Sequence, residues 1–344
     1  MEDEFVSRRK WLSRERFLDL MGATNLIPGP NSTEMTMHLG YERAGRLGLI
    51  VAGACFIAPA ALLTGLAAWL YMTYGQLPQA EPFLAGLKPA VVAVILGAVW
   101  KLSKKALKSA KLFTLALAVA LAVFAGVGEI PALFAGGLLG MALLRISAAV
   151  TIGALLLGSG KTVHAAATAS SISLTKLGLT FLKIGAVLYG SGYVLIAFLE
   201  GELVENLGWL TQQQLLDAVA LGQFTPGPVL TTATFVGYLL AGIPGAVVAT
   251  AGIFLPSFLF VLALNPLIAR LRQSRWTSAF LDAINASALA LMAVVAIQLA
   301  QASITGWVSM AIFAGAASVV LFTRVNSAWV IVGGAMISAA LGSV

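Results

Sequence analysis

The chain of 344 residues is 59% hydrophobic and only 10% charged, where a soluble domain of this length would carry about 25% charged residues. The formal net charge of +7 would point to nucleic acid in a soluble protein, but here the cations fall mostly in short loops between apolar runs, so no nucleic-acid partner is expected. One cysteine, Cys55, and two histidines, His38 and His164, exclude a disulfide framework and a Cys- or His-rich metal centre, and no cofactor is expected.

The first ten residues mix acids and bases without an apolar core, which is not the pattern of a signal peptide. The segment Asn25-Leu-Ile-Pro-Gly-Pro-Asn31 then sets Pro28, Gly29 and Pro30 into an apolar stretch. Apolar runs follow at 46–71, 84–100, 243–267 and 280–299, near or above the roughly 17 to 25 residues that cross a ~30 Å hydrocarbon layer. Shorter runs at 112–126 and 329–341 span with help from their flanks, and 174–199 reads as one further span. The fold class expected is an all-α polytopic membrane protein with the lipid bilayer as its solvent.

The Pro-Gly-Pro segment is written twice. Pro28, Gly29 and Pro30 fall on Pro226, Gly227 and Pro228 at an offset of 198, with Asp19 on Asp217. One residue is lost after the motif and the offset becomes 197. Gly40-Tyr41 then meets Gly237-Tyr238, Ala44-Gly45 meets Ala241-Gly242, Pro59 meets Pro256, and Gly136-Gly137 meets Gly333-Gly334. A single gap over nearly a whole half indicates a tandem duplication. We divide the chain into a first repeat at 1–147, a linker at 148–173 and a second repeat at 174–344. The second begins with the span 174–199, which has no counterpart in the first, so the first repeat is read as lacking its first helix, by a true loss or a start further upstream.

Charge separates the copies. Basic residues flank the first motif (Arg8, Arg9, Lys10, Arg14 and Arg16 before it, Arg43 and Arg46 after it) and fill the loop 101–111, while 72–79 is uncharged. In the second copy 206–214 and 238–245 lack Lys and Arg, and 270–275 is the basic loop. Because Lys and Arg concentrate on the cytoplasmic side, the halves are expected in opposite orientations, the inverted-repeat plan of secondary transporters. Both flanks of each motif share one charge character. Each motif is therefore expected as a re-entrant pair of half-helices, the alternative being a proline-kinked span.

Proline costs nothing in a first helical turn, and the residues after it expose free N–H groups at the positive end of the helix dipole. Asn31, Ser32 and Thr33 after the first motif, and Thr225, Thr231 and Thr232 around the second, join the two motifs as candidate ligands of one oxyanion near the membrane midplane. The alternative is that these hydroxyls cap their own helices. Lys88 and Lys183 lie in or near apolar spans and are candidate counter-charges, with snorkelling to the interface as the alternative. The offset sets Lys88 against Asn285, so a cationic role there is one-sided. Glu34 and His38, one turn apart, with Asp19 and Asp217 are the groups available for proton coupling, or else form buried structural hydrogen bonds. Gly190-Ser-Gly192 is a weak signal of a nucleotide loop, since glycine in membrane helices mostly permits close packing. No nucleophile–base pair suggests an enzyme.

The residues Leu26-Ile-Pro-Gly-Pro-Asn-Ser-Thr-Glu34, His38-Leu-Gly-Tyr-Glu-Arg-Ala-Gly45 and Gly222-Gln-Phe-Thr-Pro-Gly-Pro228 resemble the chromate ion transporter family, two-domain type. So do the element at 181–193 and the stretches 208–211, 234–238 and 254–258. The resemblance covers nearly the whole chain. It implies export of chromate across the bacterial inner membrane, conferring chromate resistance. Transport would be energised by the membrane potential or proton gradient, coupled to a proton or counter-anion, with sulfate as competitor; apart from the resemblance, a homodimer is one candidate assembly, which the sequence does not decide. Such proteins usually open with a helix bearing a Phe-Gly-Gly-Pro-like motif, absent here. The alternatives are a sulfate or other oxyanion importer and an anion channel.

Overall fold

The computed structural model describes residues 2–75, 77, 80–145, 172–225, 227–264, 274–323 and 325–341. Pro226, most of the linker and Lys161, Arg270, Arg272 and Arg324 lie outside them. Among the described residues the regular structure is helical: α1 (Arg14–Thr24), α2 (Asn31–Tyr74), α3 (Glu81–Ala106), α4 (Ala110–Phe124), α5 (Glu129–Arg145), α6 (Leu174–Val187), α7 (Val194–Leu199), α8 (Gln212–Gly222), α9 (Thr232–Leu264), α10 (Arg275–Ser303), α11 (Trp307–Phe322) and α12 (Ser327–Ala340). A π-helical turn, Glu200–Asn206, continues α7. Of these, α2, α3, α9 and α10 are long and apolar enough to cross a membrane. Large apolar side chains such as Leu47, Leu62, Ile243 and Phe322 point outward, a surface that suits lipid and not water. This is an all-α, polytopic membrane protein.

Neither α2 nor α9 is one straight rod. The first breaks at Ala44 (φ −147°, ψ 28°) and Gly45 (φ 59°, ψ −144°), the second at Ala241 (φ −149°, ψ 25°) and Gly242 (φ 62°, ψ −150°). A positive φ of this size is comfortable only for glycine. At the break the chain doubles back. A Cβ on Gly40 would collide with the carbonyl oxygen of Gly48, although eight residues of continuous helix would separate them by about 12 Å. The same collision joins Gly237 to Gly245. Each motif is thus followed by a short arm that returns on itself before the long arm crosses. The long arm of α2, residues 46–74, is about 43 Å of helix, ample for the hydrocarbon layer.

Two spans form the centre. In α3 every residue from Pro89 to Ile95 is buried, and α10 is buried over most of Ala283–Ala296, as expected of helices packed on all sides. The halves interlock there. α3 packs on α11 and α12, while α10 packs on α4 and α5. Small residues permit the approach: Gly86 meets the backbone of Gly334, and Gly136 and Gly140 meet Ser287 and Ala283. α6 lies along α9, where Gly178 touches Gly252 and Gly185 touches the Ile253 carbonyl.

The single span expected at 174–199 is instead two helices. α6 stops at Val187 and α7 starts at Val194, and Gly190 in the gap has φ 102°. Gly190, read from sequence as a packing residue, lies instead in the interruption between two helices.

Candidate functional site

The break at 188–193 and the first Pro-Gly-Pro turn are fastened together. Gly29, at φ 141°, donates its N–H to the Leu188 carbonyl at 2.7 Å, giving each irregular segment a partner it would otherwise lack in the membrane. Pro30 is the N-cap of α2, and no side chain caps that end. The N–H groups of Thr33 and Glu34 reach back to the Pro30 carbonyl, which leaves the Asn31 and Ser32 amides as the orphan donors of the helix start.

Beside this junction is a cavity of about 250 Å³ lined by Asn25, Asn31, Gly190, Ser191, Asn285 and Lys105, with Thr24, Ile27, Val194 and the apolar faces of α3 and α10 completing its wall. Asn31 Nδ2 donates to Asn25 Oδ1 at 3.1 Å, and Asn25 Nδ2 to the Met21 carbonyl at 3.1 Å. The carboxamides are therefore held in place before any ligand arrives. Lys105 supplies the positive charge from the exposed end of α3. Amide and hydroxyl donors beside a helix start, with one cation at the rim, are the chemistry that holds an anion.

The second motif is built differently. Gly227 packs against Ala60 of α2, as Gly29 packs against Ser257 of α9, and the offset of 197 pairs Ala60 with Ser257. The Thr64 hydroxyl lies 3.2 Å from both Thr225 Oγ1 and Thr231 Oγ1. Thr231 and Thr232 donate to the Pro228 and Val229 carbonyls at 2.9 and 2.8 Å, so these hydroxyls serve their own helix start. Pro228 and the rest of the second turn are not among the residues lining the cavity, and Pro226 lies outside the described residues. Among the described residues, the two turns do not share this cavity.

The charged candidates are likewise distributed. Lys88 Nζ is 3.8 Å from Asp217 Oδ1, and Tyr71 OH donates to Asp217 Oδ2 at 2.9 Å. Lys183 is half-exposed and pairs with Glu202 at 2.8 Å. Glu34 is fully buried, its carboxylate packed with Ser257 Oγ against Gly29. His38 is buried one turn further along, and Asp19 is half-buried on α1. Ser32 is exposed at the helix start, while Thr33 Oγ1 is buried without a hydrogen-bond partner among the described residues.

Asn31, a candidate ligand from sequence, lines the cavity; Asn25, Ser191 and Lys105, which line it too, are not among the sequence candidates. Asn285 was visible only as the counterpart of Lys88. These residues come from the end of α1, the break before α7, α3 and α10, and no spacing along the chain announces their meeting. The offset held the one usable signal, since it equates a lysine on one central span with an asparagine on the other.

The fold and cavity define a multi-pass helical membrane protein with a polar site where the first Pro-Gly-Pro turn meets the break before α7. The sequence profile of the chromate transporter family matches residues 1–141 and 175–339, and the chain belongs to that family. Its relatives include a chromate transport protein of Pseudomonas aeruginosa, 35% identical over 87% of this chain and 74% of that one. Another is a chromate transport protein of Cupriavidus metallidurans, 31% identical over 88% and 77%. A probable chromate transport protein of Synechococcus elongatus is 29% identical over 84% and 75%. No solved structure matches the chain.

Proposed function

We propose that the protein is a secondary active transporter, not an enzyme, which exports chromate across a bacterial inner membrane and so confers resistance to it. The observation that carries this reading is the cavity of about 250 Å³ beside the first Pro-Gly-Pro turn, where Asn25, Asn31, Ser191 and Asn285 converge with Lys105. A tetrahedral dianion there accepts hydrogen bonds from amides and a hydroxyl and meets the open start of α2. The family relationship supports chromate as the ion, and sulfate, of the same shape and charge, is the expected competitor.

The alternating cycle is read as the exchange of two inverted repeats around this region. The paired breaks at Ala44–Gly45 and Ala241–Gly242 and the paired contacts of Gly29 and Gly227 support it. The second turn, with Thr225, Gly227, Pro228, Thr231 and Thr232, is then the matching element on the other side of the path. Glu34, buried against the Gly29 turn, is the proposed carrier of a coupling proton, with His38, Asp19 and Asp217 as its partners in that role.

Chromate accumulation in everted membrane vesicles tests the proposal. Ser191→Ala with Asn285→Leu is expected to abolish accumulation in a protein that inserts and purifies normally. Undiminished accumulation by that variant would remove the cavity from the mechanism.

A further inference from the structure

The central span α3 carries one cation in its interior, and the structure shows what neutralises it. Lys88 faces Asp217, whose side chain is 5% exposed, while that of Lys88 is 20% exposed. The contact is loose. At 3.8 Å it exceeds the 2.7–2.9 Å of a charge-assisted hydrogen bond, and Asp217 Oδ1, the oxygen nearer Lys88, is buried with no hydrogen-bond partner among the described residues. The other oxygen is anchored separately by Tyr71 OH at 2.9 Å. The carboxylate thus has a partner of its own whether or not Lys88 stays beside it.

The surroundings repeat the cavity by position. The offset of 197 sets Lys88 on Asn285, and the offset of 198 sets Gln223 on Asn25. Both counterparts line the polar cavity. In the second copy Gln223 lies within 3.5 Å of Tyr193 OH, and Asp217 sits on α8, the helix leading into the second Pro-Gly-Pro turn. Where the first half-site presents a neutral amide to an open cavity, the second presents an ammonium already covered by a carboxylate.

We propose that Lys88 is an oxyanion ligand of a second half-site between α3 and α8, and that Asp217 masks it in this conformation by standing where the anion binds. During the cycle the incoming oxyanion takes Lys88 while Asp217 keeps Tyr71. An intramembrane cation needs a counter-charge at every stage, and this exchange supplies one throughout. The inference rests on the oxyanion reading of the cavity for the identity of the ligand, but it concerns a different set of residues.

The test uses the purified full chain with sulfate as probe at constant ionic strength, gluconate replacing sulfate. Equilibrium binding and thermal unfolding are measured for wild type, Asp217→Asn, Lys88→Gln and the double variant. Unmasking removes the cost of a minor competent state, so Asp217→Asn is expected to bind sulfate about tenfold more tightly than wild type. Its unfolding temperature should also rise with sulfate, and both gains should vanish in Lys88→Gln/Asp217→Asn. Recovery of folded Asp217→Asn only when sulfate is present gives the same answer. Wild-type-like affinity in Asp217→Asn, or failure to fold in both salts while the double variant folds, overturns the proposal. Loss of the cavity reading looks different: Asn285→Leu would bind sulfate like wild type, whatever Asp217→Asn does.

Discussion

Replacing Gly29 by alanine tests the junction on which the candidate site depends. Gly29 has φ 141°, a region costing a non-glycine residue on the order of 1–3 kcal/mol. The added Cβ would also collide with Glu34 Oε1 and Ser257 Oγ, both buried. Moving a buried polar group off its place costs about 1–3 kcal/mol more, so the sum is roughly 2–6 kcal/mol. Gly45 is the control. Its φ is 59° and its ψ −144°, also a glycine region, yet a Cβ there meets nothing within 4 Å, so Gly45→Ala bears only the backbone cost of about 1–3 kcal/mol. Thermal unfolding in detergent and chromate accumulation in vesicles are the assays. Gly29→Ala is expected to melt well below Gly45→Ala and to lose transport, because the Gly29 N–H bond to Leu188 also aligns the break that lines the cavity. A Gly29→Ala protein as stable as Gly45→Ala, and active, would refute the fastening of turn to break.

Other outcomes follow from the same geometry. Asn285→Asp puts a carboxylate into the cavity wall and is expected to weaken oxyanion binding by at least about tenfold, read as a rise in the half-saturating chromate concentration with little change in melting. Lys105→Gln removes the rim cation and should slow uptake several-fold at low salt, with the difference from wild type shrinking as ionic strength rises. In a Cys55→Ala background, Lys104→Cys and Asn206→Cys should react with an impermeant thiol reagent from opposite faces of the membrane. Labelling from one common face would contradict the assigned orientations.

Much of the architecture could be read from residues because it depends on local chemistry. The apolar runs mark α2, α3, α9 and α10, and Pro28-Gly29-Pro30 starts a helix as proline at a helix N-terminus does. The matched Ala44-Gly45 and Ala241-Gly242 pairs stand at the two reversals with nearly identical dihedrals. The break at 188–193 was hidden because glycine in an apolar run has two meanings, close packing and helix termination. The deciding contact, Gly29 N–H to the Leu188 carbonyl, joins distant parts of the chain. Lys88 was legible as an intramembrane cation, but its pairing with Asp217 depends on how α8 seats against α3. Thr231 and Thr232 were candidates for the ligand, and their hydroxyls prove to be engaged with carbonyls three residues back.

The placement of charge suits an ion that must leave as well as arrive. A site that carries a doubly charged anion has to bind it firmly enough to enter and weakly enough to depart. A buried lysine with no carboxylate to reclaim it would hold such an ion strongly, since attraction between opposite charges grows as water is excluded. In this structure the cavity wall offers carboxamides, a hydroxyl and the open start of α2, while its one cation, Lys105, remains exposed. The other two candidate lysines are each matched by a carboxylate, Lys88 by Asp217 and Lys183 by Glu202. Broken helices make that division workable, because every interruption frees backbone donors that carry no net charge. The two prolines of the first turn thus act less as breakers than as the means of presenting neutral donors to a charged ligand.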